Sequence, residues 1–181
     1  MSPEDLAPTE EKPSLHLGCG KQMWQGFLNV DSAPLPGVDV VWDLNDRPWP
    51  FASGAWALVV ANHVIEHLDD LGATMRELHR ILAPDGIAQV RVPHVAGWGA
   101  WNNPTHRHYF TRETLRYFEK GHHYSYAVEA GFSSVTCTNV FGLGKSARLN
   151  WLVNPLLNTN LYDQVLWKII PCAEVKATLV K

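Results

Sequence analysis

Residues 55–94 read AWALVVANHVIEHLDDLGATMRELHRILAPDGIAQVRVPH, and this stretch decides the fold class. Ala55–Ala61 is an apolar, β-forming run that ends at Asn62. Leu71, Met75, Leu78 and Leu82 then recur at spacings of 4, 3 and 4, which marks one face of a helix. Asp69 or Asp70 stands where an amino-terminal cap is needed, and Pro84-Asp85-Gly86 stops the helix. Ile87–Val92 returns as a strand and is broken by Pro93. Strand, helix and strand in this order form a crossover unit of a parallel sheet.

The same alternation extends outward. Ser14–Leu17 is an apolar run ending in Gly18-Cys19-Gly20, with a helix expected to follow. Gly26–Val30 ends at Asp31, and Val38–Trp42 ends at Asp43. Downstream, Thr111 starts a helix over TRETLRYF with Glu113 near its positive end. Val135–Val140 reads as a sixth strand, and the alternating Glu174–Val180 as a last one. Residues 147–170 are apolar and read as helical on either side of Pro155, suited to core cover or to a dimer face. Several strands are apolar on both faces, as in a parallel sheet covered by helices. The fold class is α/β, with ligands expected at the carboxyl ends of the strands. Gly18, Cys19, Gly20, Asp31, Asp43, Asn62 and His94 all fall at or just past those ends.

Composition bounds the rest. The 181 residues fit one domain of about 150 residues with a small appendage. Residues 1–13 carry acids and prolines with little to bury, and read as a disordered lead-in to a domain over 14–181. A net charge of −3 argues against a nucleic-acid partner. Cys19, Cys137 and Cys172 are too few for a disulfide framework, which fits a reduced, cytoplasmic setting. The acidic amino terminus does not read as a signal peptide, and no apolar run is long enough to span a membrane.

Individual residues carry chemistry. Glycines at 18 and 20 let backbone approach a ligand. A dinucleotide loop needs a third glycine at position 23, where Met23 stands, so a nicotinamide cofactor is disfavoured. Asp31 can accept from a ribose diol, while Asp43 and Leu44 can receive an adenine amine and ring. No hydrolase elbow and no phosphate-binding lysine loop is present.

Taken in order, LHLGCG, NVDS, VVWDLNDRPWPF, VVANHVIEHLDD and RELHRILAPDGIAQVRVPH resemble the class I S-adenosylmethionine-dependent methyltransferases, in particular a small type 11-like group. The resemblance implies a Rossmann-like sandwich with a mostly parallel seven-stranded sheet and an antiparallel edge strand. It implies that Gly18, Cys19 and Gly20 hold the amino-acid half of S-adenosylmethionine. Asp31 would hold the ribose, Asp43 and Leu44 the adenine, and Asn62 and His63 the methionine part. Two positions depart from the family pattern. His16 stands where an acidic residue is common, and the third loop glycine is replaced by Lys21 or Met23.

Residues 94–126 form an inserted, acceptor-side region rich in aromatic residues and histidine. Trp98, Trp101, His106, His108 and Tyr109 are the candidate substrate residues, suited to stacking on a sugar or a small aromatic acceptor. His63 and His94 are the candidate catalytic bases. His63, Glu66 and His67 lack the HExxH order, and no cysteine or carboxylate cluster joins the later histidines, so no metal is expected. The expected activity is methyl transfer to a small-molecule or sugar acceptor, with a homodimer as the possible assembly. The alternative is a non-catalytic cofactor-binding or regulatory module on the same fold.

Overall fold

The stretch that reads as strand, helix and strand folds that way. The computed structural model describes residues 6–123, 131–142 and 150–181. Counting from the amino terminus, the strands are β1 (Ser14–Leu17), β2 (Phe27–Asp31), β3 (Val40–Val41), β4 (Trp56–Asn62), β5 (Leu82–Pro93), β6 (Ser134–Val140) and β7 (Glu174–Val180). The helices are α1 (Leu71–Ile81), α2 (Trp98–Trp101), α3 (Arg112–Arg116), α4 (Asn150–Leu157) and α5 (Asn160–Gln164). Asp70 is the cap of α1, its carboxylate accepting from the Ala73 N–H at 2.8 Å. Pro84-Asp85-Gly86 is an irregularity inside β5 rather than a separate turn. Trp56 pairs with Leu82 and Leu58 with Ile87, so the extra residues bulge out between them.

All seven strands form one sheet in the order β3-β2-β1-β4-β5-β7-β6. Neighbours from β3 to β5 pair in parallel, whereas β7 runs antiparallel to both β5 and β6. The antiparallel strand therefore lies one place in from the edge, which β6 occupies. This is the Rossmann-like, seven-stranded arrangement that the resemblance implies.

One face of the sheet carries the core. Leu15, Leu17, Val30, Val59, Val90 and Val175 point to it and meet Met75, Leu78 and Ile81 of α1 and Leu115 of α3. The other face differs from expectation. Residues 18–26 and 32–39, which join β1 to β2 and β2 to β3, hold no helix. A parallel crossover with a helix needs about a dozen residues or more, and these connections are shorter. Right-handed crossovers leaving β1 in opposite directions cover opposite faces, so the missing helices belong to the face away from α1. There the strands present Gln89, Arg91, Lys176, Thr136 and Thr138 rather than an apolar surface.

A side chain takes part of the missing helix's place. Trp24 stacks on His16 with ring centroids 4.3 Å apart and meets Phe27 edge-on at 5.1 Å. Asn29 holds that loop, accepting from the Trp24 N–H at 2.9 Å and donating to its carbonyl at 3.1 Å. His16, where the resemblance implies an acid, is thus a buried packing residue, its pKa lowered chiefly by burial.

The remaining expectations divide. Of the lead-in read over residues 1–13, residues 1–5 lie outside the described residues, and Leu6 donates to the Pro50 carbonyl and accepts from Ala52. Thr111 caps α3 in a reciprocal pair with Thr114. Residues 147–149 lie outside the described residues, and the chain is helical on either side of Pro155, which lies inside α4. Past it, Tyr162 is buried while Leu161, Val165 and Ile169 face outward, so this stretch gives both core cover and an exposed apolar row. All three cysteines are free. No helix among the described residues is long and apolar enough to cross a membrane.

Leu78 is fully buried between α1 and the sheet. Leu78→Ala is expected to destabilise the protein by about 2–5 kcal/mol in urea unfolding. A loss below about 1 kcal/mol would place the core elsewhere.

Candidate functional site

The carboxyl ends of β1, β2 and β4, with the turn after β3, converge on one cavity of about 510 Å³. Gly18 leaves β1 at φ +60°, where a Cβ would lie 2.3 Å from Val64. No other residue fits there without moving that side chain. Gly20 has φ +53° with no atom within 4 Å of the Cβ direction, so its backbone lies open to the cavity. Asp31, at the end of β2, accepts from the Gly20 N–H at 2.8 Å and from the Ala33 N–H at 2.9 Å. Each oxygen keeps a second acceptor site. Asp43 accepts from the Asn45 N–H at 2.9 Å, and Leu44 is buried under it with its carbonyl held by the Trp49 indole. Val64, His67 and Leu68 close the far wall. The helix expected after Gly20 is absent, so the loop offers backbone N–H groups but no helix amino terminus.

A second cavity, of about 450 Å³, adjoins the first. Trp98, Asn102 and His106 line it from the acceptor-side region, with Pro93 and Glu174 below. The Trp98 indole is 80% exposed, an unusual state for so large an apolar ring. Backbone N–H groups of Arg107 and His108 donate to the Glu66 carbonyl at 2.8 and 3.2 Å, which fixes this region against the turn after β4.

His63 and His67 line both cavities. His63 sits just past β4 at φ +54°, its N–H donating to the Arg91 carbonyl at 2.8 Å. Its Nε2 meets Glu174 Oε1 at 3.0 Å and its Nδ1 faces Glu66 Oε1 at 3.4 Å. The hydrogen bond to Glu174, then the ion-pair contact with Glu66, raises the His63 pKa to about 9. Glu174 also receives Arg91 at 2.5 Å. Burial works against its charge, but His63 and Arg91 together hold its pKa down to about 2.

The structure gathers only some of the expected site residues. Gly18, Gly20, Asp31, Asp43, Leu44 and His63 line the first cavity, and Trp98 and His106 the second. Cys19 lies buried beneath the loop, its backbone N–H donating to Val30. Asn62 opens onto the polar sheet face with Trp24 and Gln89. Trp101 and Tyr109 stack on each other at 4.4 Å outside both cavities, and His108 lines neither. His94 is 1% exposed, accepts from the Ala96 N–H at 3.0 Å and lines neither cavity; burial lowers its pKa to about 4. Glu66, His67 and Glu174 are the residues that the sequence reading did not place in a site. His67 and Glu66 stood in view in HVIEH, but nothing local marks Glu174.

With this geometry in place, the similarities to other proteins become informative. Residues 4–120 match the family model described as a methyltransferase domain. The chain belongs to that family, and its fold is that of the class I S-adenosylmethionine-dependent methyltransferases. No curated protein matches the sequence significantly. Among solved structures, an S-adenosylmethionine-dependent methyltransferase from Archaeoglobus fulgidus superposes with a TM-score of 0.65 at 15% identity, covering 95% of this chain and 87% of its own. Phosphoethanolamine N-methyltransferase 2 of Haemonchus contortus, solved with phosphomonomethylethanolamine and S-adenosylhomocysteine, gives a TM-score of 0.57 at 16% identity. That match covers 98% of this chain but only 50% of the Haemonchus protein. A 1,6-didemethyltoxoflavin-N1-methyltransferase from Burkholderia thailandensis gives 0.52 at 14% identity, covering 93% and 70%.

The buried His94 yields a pH prediction. Its folded pKa of about 4 lies below the ordinary histidine value of 6.5, so the unfolded chain takes up the proton first. The stability tied to neutral His94 is present above pH 6.5 and is lost as pH falls through about 4. His94→Asn keeps an acceptor for the Ala96 N–H and removes the titration. Its melting temperature is therefore expected to fall less steeply than that of the parent between these pH values, measured by calorimetry. Parallel curves would contradict the assignment.

Proposed function

We propose that the chain transfers the methyl group of S-adenosylmethionine, held in the first cavity, to a small polar acceptor seated in the second. The observation that carries this reading is the shared wall: two adjoining cavities meet at His63 and His67. The residues present fit the cofactor. Gly18 and Gly20 offer backbone to its amino-acid end, Asp31 offers free acceptor sites to a diol, and Asp43 with buried Leu44 offers an acceptor beside an apolar surface. The sulfonium of the bound cofactor supplies an already activated methyl group, so the protein's contribution is chiefly alignment.

The chain's own groups do the rest. Asp31 ties the ends of β1 and β2 through the Gly20 N–H, which fixes the spacing of the donor site. Both nitrogens of His63 face carboxylates, so in this proposal it serves as a fixed cationic partition rather than as a proton acceptor. Trp98 presents an open indole face to an acceptor, a surface suited to a sugar or a small planar ring. The cavity's size fits a small molecule, and small acceptors named in the Haemonchus and Burkholderia structures support that class. A second reading, a cofactor-binding module without transfer, draws on the absence of a helix after Gly20. Methyl transfer from labelled S-adenosylmethionine to any member of a broad acceptor panel excludes it.

Asp31→Ala tests the donor site. Losing charged hydrogen bonds to a diol is expected to weaken S-adenosylhomocysteine binding roughly 10- to 100-fold, about 1.4–2.8 kcal/mol, in calorimetric titration. The fold should remain intact by circular dichroism. Unchanged affinity would refute this placement of the ribose.

A further inference from the structure

We propose that Glu66, His67 and His106 bind a divalent first-row transition-metal ion on the wall of the second cavity. One potential ligand atom from each of the three lies within 4.8 Å of the other two. All three residues line that cavity. The two imidazoles meet at a centroid distance of 4.7 Å and an interplanar angle of 68°.

The hydrogen bonds around the histidines set their tautomers. His106 Nδ1 lies 3.0 Å from the Ala100 carbonyl, which can only accept, so Nδ1 carries the proton. The Thr105 hydroxyl gives its single proton to Asn103 Oδ1 at 2.8 Å. It must therefore accept from His67 Nδ1, which lies 2.8 Å away. Each neutral ring is left with a bare lone pair on Nε2. This is the arrangement that orients metal-binding histidines, where the second ring nitrogen is held by a carbonyl or hydroxyl.

Glu66 supplies the second, independent sign. Its side chain is fully buried, yet neither carboxylate oxygen has a hydrogen-bond partner. Its nearest cationic neighbour is His63 Nδ1 at 3.4 Å, within ion-pair range but outside hydrogen-bond geometry. A buried carboxylate without hydrogen bonds is costly. A divalent cation among the three groups removes that cost. Two imidazoles and one carboxylate form a donor set used for zinc and for ferrous iron with open coordination positions. In this chain those positions would face the acceptor cavity beside Trp98.

Metal binding stands on these residues alone. The ion's task, which is to hold and polarise an acceptor oxygen, rests on the methyl-transfer reading above. The test is calorimetric titration of the chelator-treated 181-residue chain with Zn²⁺, with Co²⁺ absorption as a second readout. The parent, Glu66→Gln and His106→Ala proteins are compared, and S-adenosylhomocysteine binding is measured on each sample. The expected result is one equivalent of Zn²⁺ on the parent, with affinity falling at least about 100-fold in both variants while circular dichroism is unchanged. Zn²⁺ binding without S-adenosylhomocysteine binding would support the ion site and defeat the methyl-transfer reading. S-adenosylhomocysteine binding without Zn²⁺ binding would overturn the ion site and leave methyl transfer standing. Zn²⁺ affinity that is unchanged in His106→Ala would also overturn it, because the ion would then sit elsewhere. If Glu66→Gln fails to fold, the exposed-side variant His106→Ala decides alone.

Discussion

The contact between His63 and Glu174 joins the two halves of this chain at the point where its two cavities meet. It exists because β7 enters the sheet antiparallel, between β5 and β6, in a register that sets Glu174 opposite Pro93 and Lys176 opposite Arg91. That register brings the carboxylate to the Nε2 of a histidine 111 positions earlier. His63 in turn holds a left-handed backbone conformation, a strained state for a side chain with a Cβ. Its N–H on the Arg91 carbonyl and its ring between two carboxylates supply what that conformation requires. Moving β7 by one residue would turn Glu174 to the other sheet face and leave His63 without its main partner.

A second constraint is economy of chain. The connections β1 to β2 and β2 to β3 are too short for crossover helices, so one sheet face goes without them among the described residues. The fold compensates locally. Trp24 packs on His16, Asn29 ties down the loop backbone, and β5, β7 and β6 carry Gln89, Lys176 and threonines that tolerate water. The donor site survives because it depends on strand ends and tight glycine turns, not on helices. Asp31 links β1 to β2 directly through the Gly20 N–H.

What was legible in the sequence follows the range of the interactions. The 4-3-4 spacing of Leu71, Met75, Leu78 and Leu82 is local, and α1 forms where it falls. Asp31 and Asp43 stand at strand ends in the sequence and line the first cavity in the fold. His94 looked equivalent, since it too follows a strand. Its burial depends on the Ala173 carbonyl, which accepts its backbone N–H, and on Tyr162, both far along the chain. The missing helix after Gly20 was implicit in the short distance between two strands, a limit that the glycine motif does not override. Glu66 stood in the sequence only as the acid between His63 and His67, in a run that lacks the HExxH order. Its isolation appears only when the acceptor-side loop folds over it through Arg107 and His108.

The central claim is that a donor cavity at the strand ends and an acceptor cavity beside it share the His63 wall. The most direct measurement is a backbone amide NMR titration of the full chain with S-adenosylhomocysteine. The expected result is that perturbations gather at Gly18, Gly20, Asp31, Asp43, Leu44 and His63 and fade toward Trp98. Perturbations gathered instead on the helix-free face, at Trp24, Gln89 and Lys176, would contradict a donor site at the strand ends.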